Sequence, residues 1–423
     1  MPPAMPHKTR TLWLTGMLHA FTHLYQVALM PLYLLMQTDL KLSSVGQVTL
    51  MMTVMLVACF GPGYTMGVLA DRLNRKRLLG LGLLINGLGF VALAVAPNFA
   101  FALGAAALAG FGGSFYHPAA TAMIARLFPG NTGKGLGLVG VGAGAGFFIG
   151  PLYSGWRAAM LEPVLGPAAW RRPVLELGLL GLLAAAAFAC VADQEQSGPV
   201  TASQSERLKH ERLFPTRTHW MLFLAYCVAF SLRDFAGASM ASLGSLFLQQ
   251  ARGYGPEYTG RALSGIYLAS IISNPLFGSL SDRGRKRWAA LALVMAASMV
   301  ALFPHVPSRW TILAYLVYGF FFLASYPTTE AALMESVPDV VRGRVFGLFV
   351  MATGVVGNLS HWVIGAKIKQ MGAAAESASA YFPLYGILGL LMLCSVTGLL
   401  CLAPIRRREH LESAGKPPTA PPS

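Results

Sequence analysis

The sequence predicts an all-α membrane protein of twelve transmembrane helices, arranged as two pseudo-symmetric six-helix halves. Three observations carry that prediction. Twelve apolar stretches approach or exceed the roughly 20 residues needed to cross the hydrocarbon of a bilayer. A short basic motif, Gly67-Val68-Leu69-Ala70-Asp71-Arg72-Leu73-Asn74-Arg75-Lys76-Arg77, returns as Gly278-Ser279-Leu280-Ser281-Asp282-Arg283-Gly284-Arg285-Lys286-Arg287. A polar stretch from Asp193 to Arg217 separates the two sets of six spans.

The 423 residues are 55% hydrophobic and only 12% charged, about half the charge of an ordinary soluble chain. The net charge of +15 is gathered in short clusters between apolar runs, which fits membrane orientation better than nucleic-acid binding. Cys59, Cys190, Cys227, Cys394 and Cys401 all lie in apolar runs without a CxxC pair and read as buried, inert thiols.

In order, the first span, 12–36, follows Lys8 and Arg10. It is longer than a signal-peptide core and lacks an evident cleavage site, so it is expected to stay as an uncleaved anchor. The second, 45–69, ends in the first basic motif and the third, 78–96, begins after it. The fourth, 100–126, and the Gly-rich fifth, 135–157, are followed by 174–192. The second set covers 219–249, 258–280, 288–306, 309–336, 343–367 and 381–403. These spans define an N-terminal half (1–192), a linker (193–217) and a C-terminal half (218–405). A Pro-rich tail (406–423) is expected to be disordered and cytoplasmic.

With a cytoplasmic N-terminus, most of the 32 Lys and Arg fall on inner segments. Those segments hold Lys8, Arg10, both basic motifs, Arg207 to Arg217 in the linker and Arg406 to Arg408. The positive-inside rule thus places both termini in the cytoplasm of a multi-pass inner-membrane protein. Further anchors repeat at nearly constant separation. Thr9-Arg10-Thr11-Leu12-Trp13 matches Thr216-Arg217-Thr218-His219-Trp220, while Gly110, Pro118 and Pro129 match Gly319, Pro327 and Pro338.

Together these features resemble the major facilitator superfamily, whose signature after the second helix is close to Gly-x-Leu-x-Asp-Arg-x-Gly-Arg-Lys. Asn74 stands where that signature usually has Gly, and the second copy is one residue shorter between Asp282 and Gly284. The resemblance implies a gating role for Gly67, Asp71, Arg72 and Arg75 and for Gly278, Asp282 and Arg283. Each Asp would face a helix N-terminus of the opposite half, near Gly343 or Gly135, where a carboxylate gains about 0.3–2 kcal/mol.

In the fifth span, Gly137, Gly146, Gly150, Pro151 and Gly155 are similar to the signature of the superfamily's proton antiporters, with Ser154 replacing one Gly. Such residues let a neighbouring helix approach closely, and Pro151 permits a kink. A generic Gly-rich packing face is the other reading. Gly112-Gly113-Ser114-Phe115-Tyr116-His117-Pro118 and the stretch His19 to Pro31 resemble the fosmidomycin-resistance group. The Arg that many drug antiporters carry midway along the fourth helix is absent near Ala106, so another group must serve in proton coupling.

His19, Thr22, His23 and Gln26 share one helix face, a polar stripe suited to a water-filled cavity, and His titrates near neutrality. His19 and His23 have the spacing of a metal pair, yet no nearby carboxylate or Cys completes a set, so neither a metal site nor a cofactor is expected. Arg233 and Asp234 lie deep in an apolar run, where ionisable groups are usually functional or paired. Adjacent residues point about 100° apart on a helix, so the two need not pair with each other.

Glu330 is the other acidic candidate. It follows Pro327, which is expected to break the helix and expose backbone to the cavity. A salt bridge from Glu330 to Arg233 is its structural alternative, and Glu335 is expected to meet Arg342 or Arg344. His117, Asn358 and His361, with Tyr25, Tyr116, Tyr267 and Tyr326, complete the expected cavity lining.

No nucleophile with its base and no phosphate-cradling loop appears, which argues against an enzyme. The expected function is secondary active transport by alternating access, as proton-coupled efflux of a small organic or drug-like compound, anionic compounds included. Asp234, Glu330, His19 and His23 are the proton-coupling candidates. Gln26, His117, Arg233, Tyr326, Asn358 and His361 are expected in the substrate cavity. A proton-coupled importer of small anions, a non-transporting membrane receptor and metal transport through His19 and His23 are the alternatives. The expected partners are the small-molecule substrate, protons and the lipid bilayer, with the protein a monomer.

Overall fold

A computed structural model describes residues 5–128, 132–192, 213–214, 216–281, 284–337, 339–402 and 405. The side chains of Asp71, Arg126 and Lys134, residues 282–283, nearly all of the linker and the tail 406–423 lie outside that description.

The long helices, with the short breaks inside some of them, are α1 (Met5–Val27), α2 (Val45–Phe60 and Gly63–Arg72), α3 (Arg75–Ala94) and α4 (Phe99–Ser114 and Tyr116–Leu127). There follow α5 (Thr132–Leu165), α6 (Arg171–Val191), α7 (Arg217–Leu246) and α8 (Pro256–Leu268 and Ser270–Ser281). The last four are α9 (Arg285–Leu302), α10 (Thr311–Met334), α11 (Asp339–Met371) and α12 (Phe382–Cys394). After α1 the chain makes one 3-10 turn, Met30–Leu32, and a short helix, Tyr33–Asp39.

Ten described segments are apolar and long enough to cross a membrane, one of which, Gly135–Val191, is 57 residues long and contains both α5 and α6. The α1 segment is not among them. Its polar stripe of His19, Thr22, His23 and Gln26 dilutes its hydropathy, so the feature that marks it as interesting also hides it from a composition test.

Helix starts follow local chemistry. The Asn98 side chain accepts from the Phe101 amide and Thr216 from the His219 amide, so each caps a helix start that would otherwise leave donors unmet. Asn74, the residue that departs from the family signature, accepts from the Arg77 amide and starts α3 in the same way.

Packing repeats between the halves with an offset of six helices. In the first half α1 lies along α5, α3 along α4 and α6, and α2 on α4. In the second, α7 lies along α11, α9 along α10 and α12, and α8 on α10. The main contacts between halves obey the same rule, α2 with α11 and α8 with α5. Outward stripes such as Leu81, Leu84 and Leu88 on α3 and Ile387 and Leu390 on α12 are exposed, as a lipid-facing surface requires.

Lipid gives helices no hydrophobic reason to associate, so close van der Waals approach must hold them. At the end where α2 starts and α11 ends, Gly46 lies against Gly365. Gly155 lies against the Pro256 carbonyl and Gly260 against the Pro151 carbonyl, where any side chain would collide with backbone. Hydroxyls reinforce this closure. Ser264 Oγ donates to the Phe148 carbonyl at 2.8 Å and Ser245 Oγ to the Met30 carbonyl at 2.6 Å.

At the opposite end, Gly67, Gly137, Gly140, Gly278, Gly343 and Gly347, on the four helices that meet between halves, have open space where a side chain would begin. Among the described residues, close approach between the halves is thus found at one end, while these glycines at the other leave room for it.

Three expectations change. Pro327 does not break α10, which runs from Thr311 to Met334 with the proline inside it; the hydroxyls of Ser325, Thr328 and Thr329 bond the carbonyls of Phe322, Ala324 and Ser325 around it. Among the cysteines, all of them free thiols, Cys190 and Cys394 are exposed, since an apolar run marks a span but not which face turns inward. Gly137 touches no neighbouring helix, so the close approach expected from the fifth span rests on Gly146, Gly150 and Gly155.

Valine at position 155 (G155V) is expected to push α5 off α8 and cost about 1–3 kcal/mol by overpacking. The measurement is a lowered melting temperature of the purified protein in detergent, with Gly137→Val, facing open space, near the wild type.

Candidate functional site

The polar stripe of α1 meets α4 and α5. His19 Nδ1 lies 2.9 Å from the Val139 carbonyl, and since a carbonyl only accepts, His19 donates there. His23 Nδ1 lies 2.9 Å from Gln26 Oε1, and the Nε2 atoms of the two histidines are 3.0 Å apart. His117 is carried in by the start of the second segment of α4, its ring 5.2 Å from that of His19 and 5.3 Å from that of His23. It is exposed and forms no hydrogen bond with the described residues. Tyr116 stacks on His19 at 4.5 Å and donates to the Thr15 carbonyl. Phe147 of α5 covers His23 and stacks at 4.7 Å on Tyr267 of α8, so the histidine cluster touches the seam between halves.

Gln26 is buried and directs its amide nitrogen at Cys59 Sγ, 3.6 Å away. Tyr25 is buried too and donates to the Leu177 carbonyl of α6. Both line a small hollow with Thr22, Cys59 and Asn86.

Across the seam, α7 carries a fully buried Arg233. The pairing that helix geometry left open is made: its Nε lies 2.8 Å from Oδ1 of the neighbouring Asp234. The arginine stem is long enough to turn back along the helix surface, which the 100° between Cα positions does not forbid. Its Nη1 donates to Thr329 Oγ1 at 2.9 Å, and its guanidinium sits 3.9 Å over the Tyr326 ring. Tyr326 in turn donates to Asp234 Oδ1 at 3.0 Å. Glu330, one helical turn beyond Tyr326, is half-buried and makes no salt bridge to Arg233 or hydrogen bond with any described residue.

Asn358 and His361 line the seam and not an open cavity. His361 is buried, 2.5 Å from Ser242 Oγ, which lies 2.9 Å from the Tyr33 hydroxyl. The Thr53 hydroxyl of α2 sits on one rung of α11, donating to the Asn358 carbonyl at 3.0 Å and accepting from the Trp362 amide at 2.9 Å.

Of the gating candidates, Gly67 and Gly278 face open space, Arg72 is exposed and Arg75 is buried. Asp282, Arg283 and the Asp71 side chain lie outside the described residues. Glu335 meets neither expected partner. Its carboxylate takes Arg285 through two bonds, of 2.6 Å and 2.8 Å, tying the second basic loop to the end of α10, while Arg342 Nε donates to the Met334 carbonyl.

Ionic contacts at the closed end escaped the sequence reading. Arg171 joins Asp39 at 2.6 Å and donates to the carbonyls of Ala94 and Ala96, and Arg157 joins Glu176 at 2.9 Å. Arg252 donates to the carbonyls of Pro304 and Val306.

Comparison with known proteins accords with this architecture. Multidrug resistance protein MdtG of Yersinia enterocolitica is 28% identical over 72% of each chain. The fosmidomycin resistance protein of Escherichia coli K12 is 23% identical over 88% of this chain and 90% of its own. Among solved structures, a proton-dependent oligopeptide transporter superposes with a TM-score of 0.75 at 14% identity, over 95% of this chain and all of that one. A bacterial homologue of the human lysosomal transporter Spinster, in an inward-facing form, gives 0.70 at 16% identity, over 98% of this chain and all of that one. The profile of the Major Facilitator Superfamily matches residues 12–361, and with that match the repeated helix packing has its explanation: the chain belongs to the Major Facilitator Superfamily of membrane transporters.

Proposed function

We propose that this transporter exports small drug-like compounds in exchange for protons, with Glu330 as the proton carrier. The observation that carries this reading is the contrast between two carboxylates in one region of α7 and α10. Asp234 is held by Arg233 and Tyr326, whereas Glu330 has no bonding partner among the described residues. A carboxylate whose charge is not compensated at membrane depth is the group for which gaining a proton changes most. The names of the MdtG and fosmidomycin-resistance relatives support efflux of antimicrobial compounds.

Charge balance refines the cargo. With Glu330 ionised, Arg233, Asp234 and Glu330 together carry one net negative charge, and with Glu330 protonated they carry none. A cationic compound would be held best by the ionised form and released on protonation, which is exchange. An anion would be held best with the proton present and would travel with it, which is the importer reading. Efflux therefore goes more naturally with cationic cargo than with the anionic compounds included in the expectation from sequence.

The positive-inside charge distribution supports an inner-membrane protein with both termini cytoplasmic, so the end with the open glycines faces the cytoplasm. We take the working unit to be the monomer.

In liposomes with an internal pH dye, exported compounds should drive proton movement in the wild type and none in Glu330→Gln, and that variant, fixed in the uncharged form, should bind cationic compounds more weakly in a fluorescence titration. Proton flux undiminished in that variant would remove Glu330 from the role.

Removing one partner of a buried ion pair costs about 3–5 kcal/mol, so Arg233→Gln should melt well below the wild type in detergent. The double variant Arg233→Gln/Asp234→Asn, with no lone charge left, should recover much of the loss.

A further inference from the structure

We infer that His19, His23 and His117 form a binding site for a single divalent transition-metal cation of the Zn²⁺ or Co²⁺ class, open to the cavity. The observation is the direction in which the surrounding groups turn the rings. His19 gives its Nδ1 proton to the Val139 carbonyl, and His23 presents Nδ1 to the amide oxygen of Gln26. Both contacts fix the Nδ1–H tautomer, which leaves a lone pair on each Nε2. Those two nitrogens lie 3.0 Å apart, and facing lone pairs at that distance need a cation between or beside them.

Metal-binding histidines characteristically donate their other ring nitrogen to a carbonyl or carboxylate, which is the arrangement here. His117 supplies a third ligand, one ring nitrogen from each of the three residues lying within 4.8 Å of the others. Because His117 is exposed and forms no hydrogen bond with the described residues, its ring is free to turn toward the other two, by up to about 1.5 Å, to reach bonds of about 2.0–2.1 Å. Three neutral imidazoles suit borderline ions over Mg²⁺ or Ca²⁺, which prefer oxygen. Three protein ligands also leave one position of a tetrahedral ion to water or a small molecule in the cavity.

The test is a Co²⁺ titration of the purified full-length protein in detergent, followed by visible absorption, with Zn²⁺ added in competition. The expected result is saturable binding of one ion per chain, with the intense visible bands of four-coordinate Co²⁺, bleached by Zn²⁺. His117→Ala and His19→Asn should each weaken binding at least tenfold, and His305→Asn, in the exposed turn after α9, should leave it unchanged. His117→Ala is the decisive variant, since its side chain is exposed and bonds to nothing whose loss would unfold the protein. Absence of saturable binding in the wild type would mean that the two histidines share a proton only, and would overturn the proposal. Binding that persists unchanged in His117→Ala would overturn it as well.

Discussion

Backbone-to-backbone contact between helices of opposite halves is the constraint from which the rest of this structure follows. Where Gly46 meets Gly365 and Gly155 and Gly260 meet the carbonyls of Pro256 and Pro151, the helices come closer than any pair bearing side chains can. Such contacts are strong in sum and carry little chemical commitment, because they consist mainly of dispersion and short hydroxyl bonds. A seam of this kind can hold one end shut and still be exchanged for another seam. The open glycines at the other end of α2, α5, α8 and α11 are the surfaces available for that exchange. Thr53 belongs to the same design, borrowing one rung of the α11 ladder and so binding two helices through a bond that either can return to itself.

The overall architecture was legible because its signals are local. Apolar runs announce spans, the basic motif repeats at matching places, and Gly146 and Gly150, four apart on α5, show where another helix can lie. Contacts made across the fold carry no such signal. His117 lies far along the chain from His19 and His23, and only the fold brings its ring to theirs. The Glu335–Arg285 pair joins the end of α10 to a loop two spans earlier, and nothing in the spacing separates it from the expected partners Arg342 and Arg344.

Where sequence reasoning erred, it applied a local rule past its range. Pro327 removes a backbone donor, yet α10 runs on through it, so a rule about isolated helices fails in a packed one. The 100° between neighbouring residues describes Cα directions and left the Arg233–Asp234 pair open, and the length of the arginine stem closes it. The arginines on the segments expected to face outward show the opposite lesson. Arg157, Arg171 and Arg252 sit apart from the basic clusters, and each is used in a structural bond. The charge bias that sets orientation therefore reads most cleanly once such structural cations are set aside.

The two halves repeat in packing but not in chemistry. At related levels the first half places neutral imidazoles and an amide, and the second an arginine, an aspartate and a glutamate. A symmetric scaffold explains the placement of both sets, since each is carried by the first and fourth helices of its half, His117 on α4 and Glu330 on α10 completing what α1 and α7 begin. Symmetry does not require the same task of both. The second half holds permanent charges that one proton can rebalance, while the first holds lone pairs directed at one another. Groups of different chemistry thus stand in the two halves of one scaffold, and a rearrangement of the seam between them would act on both.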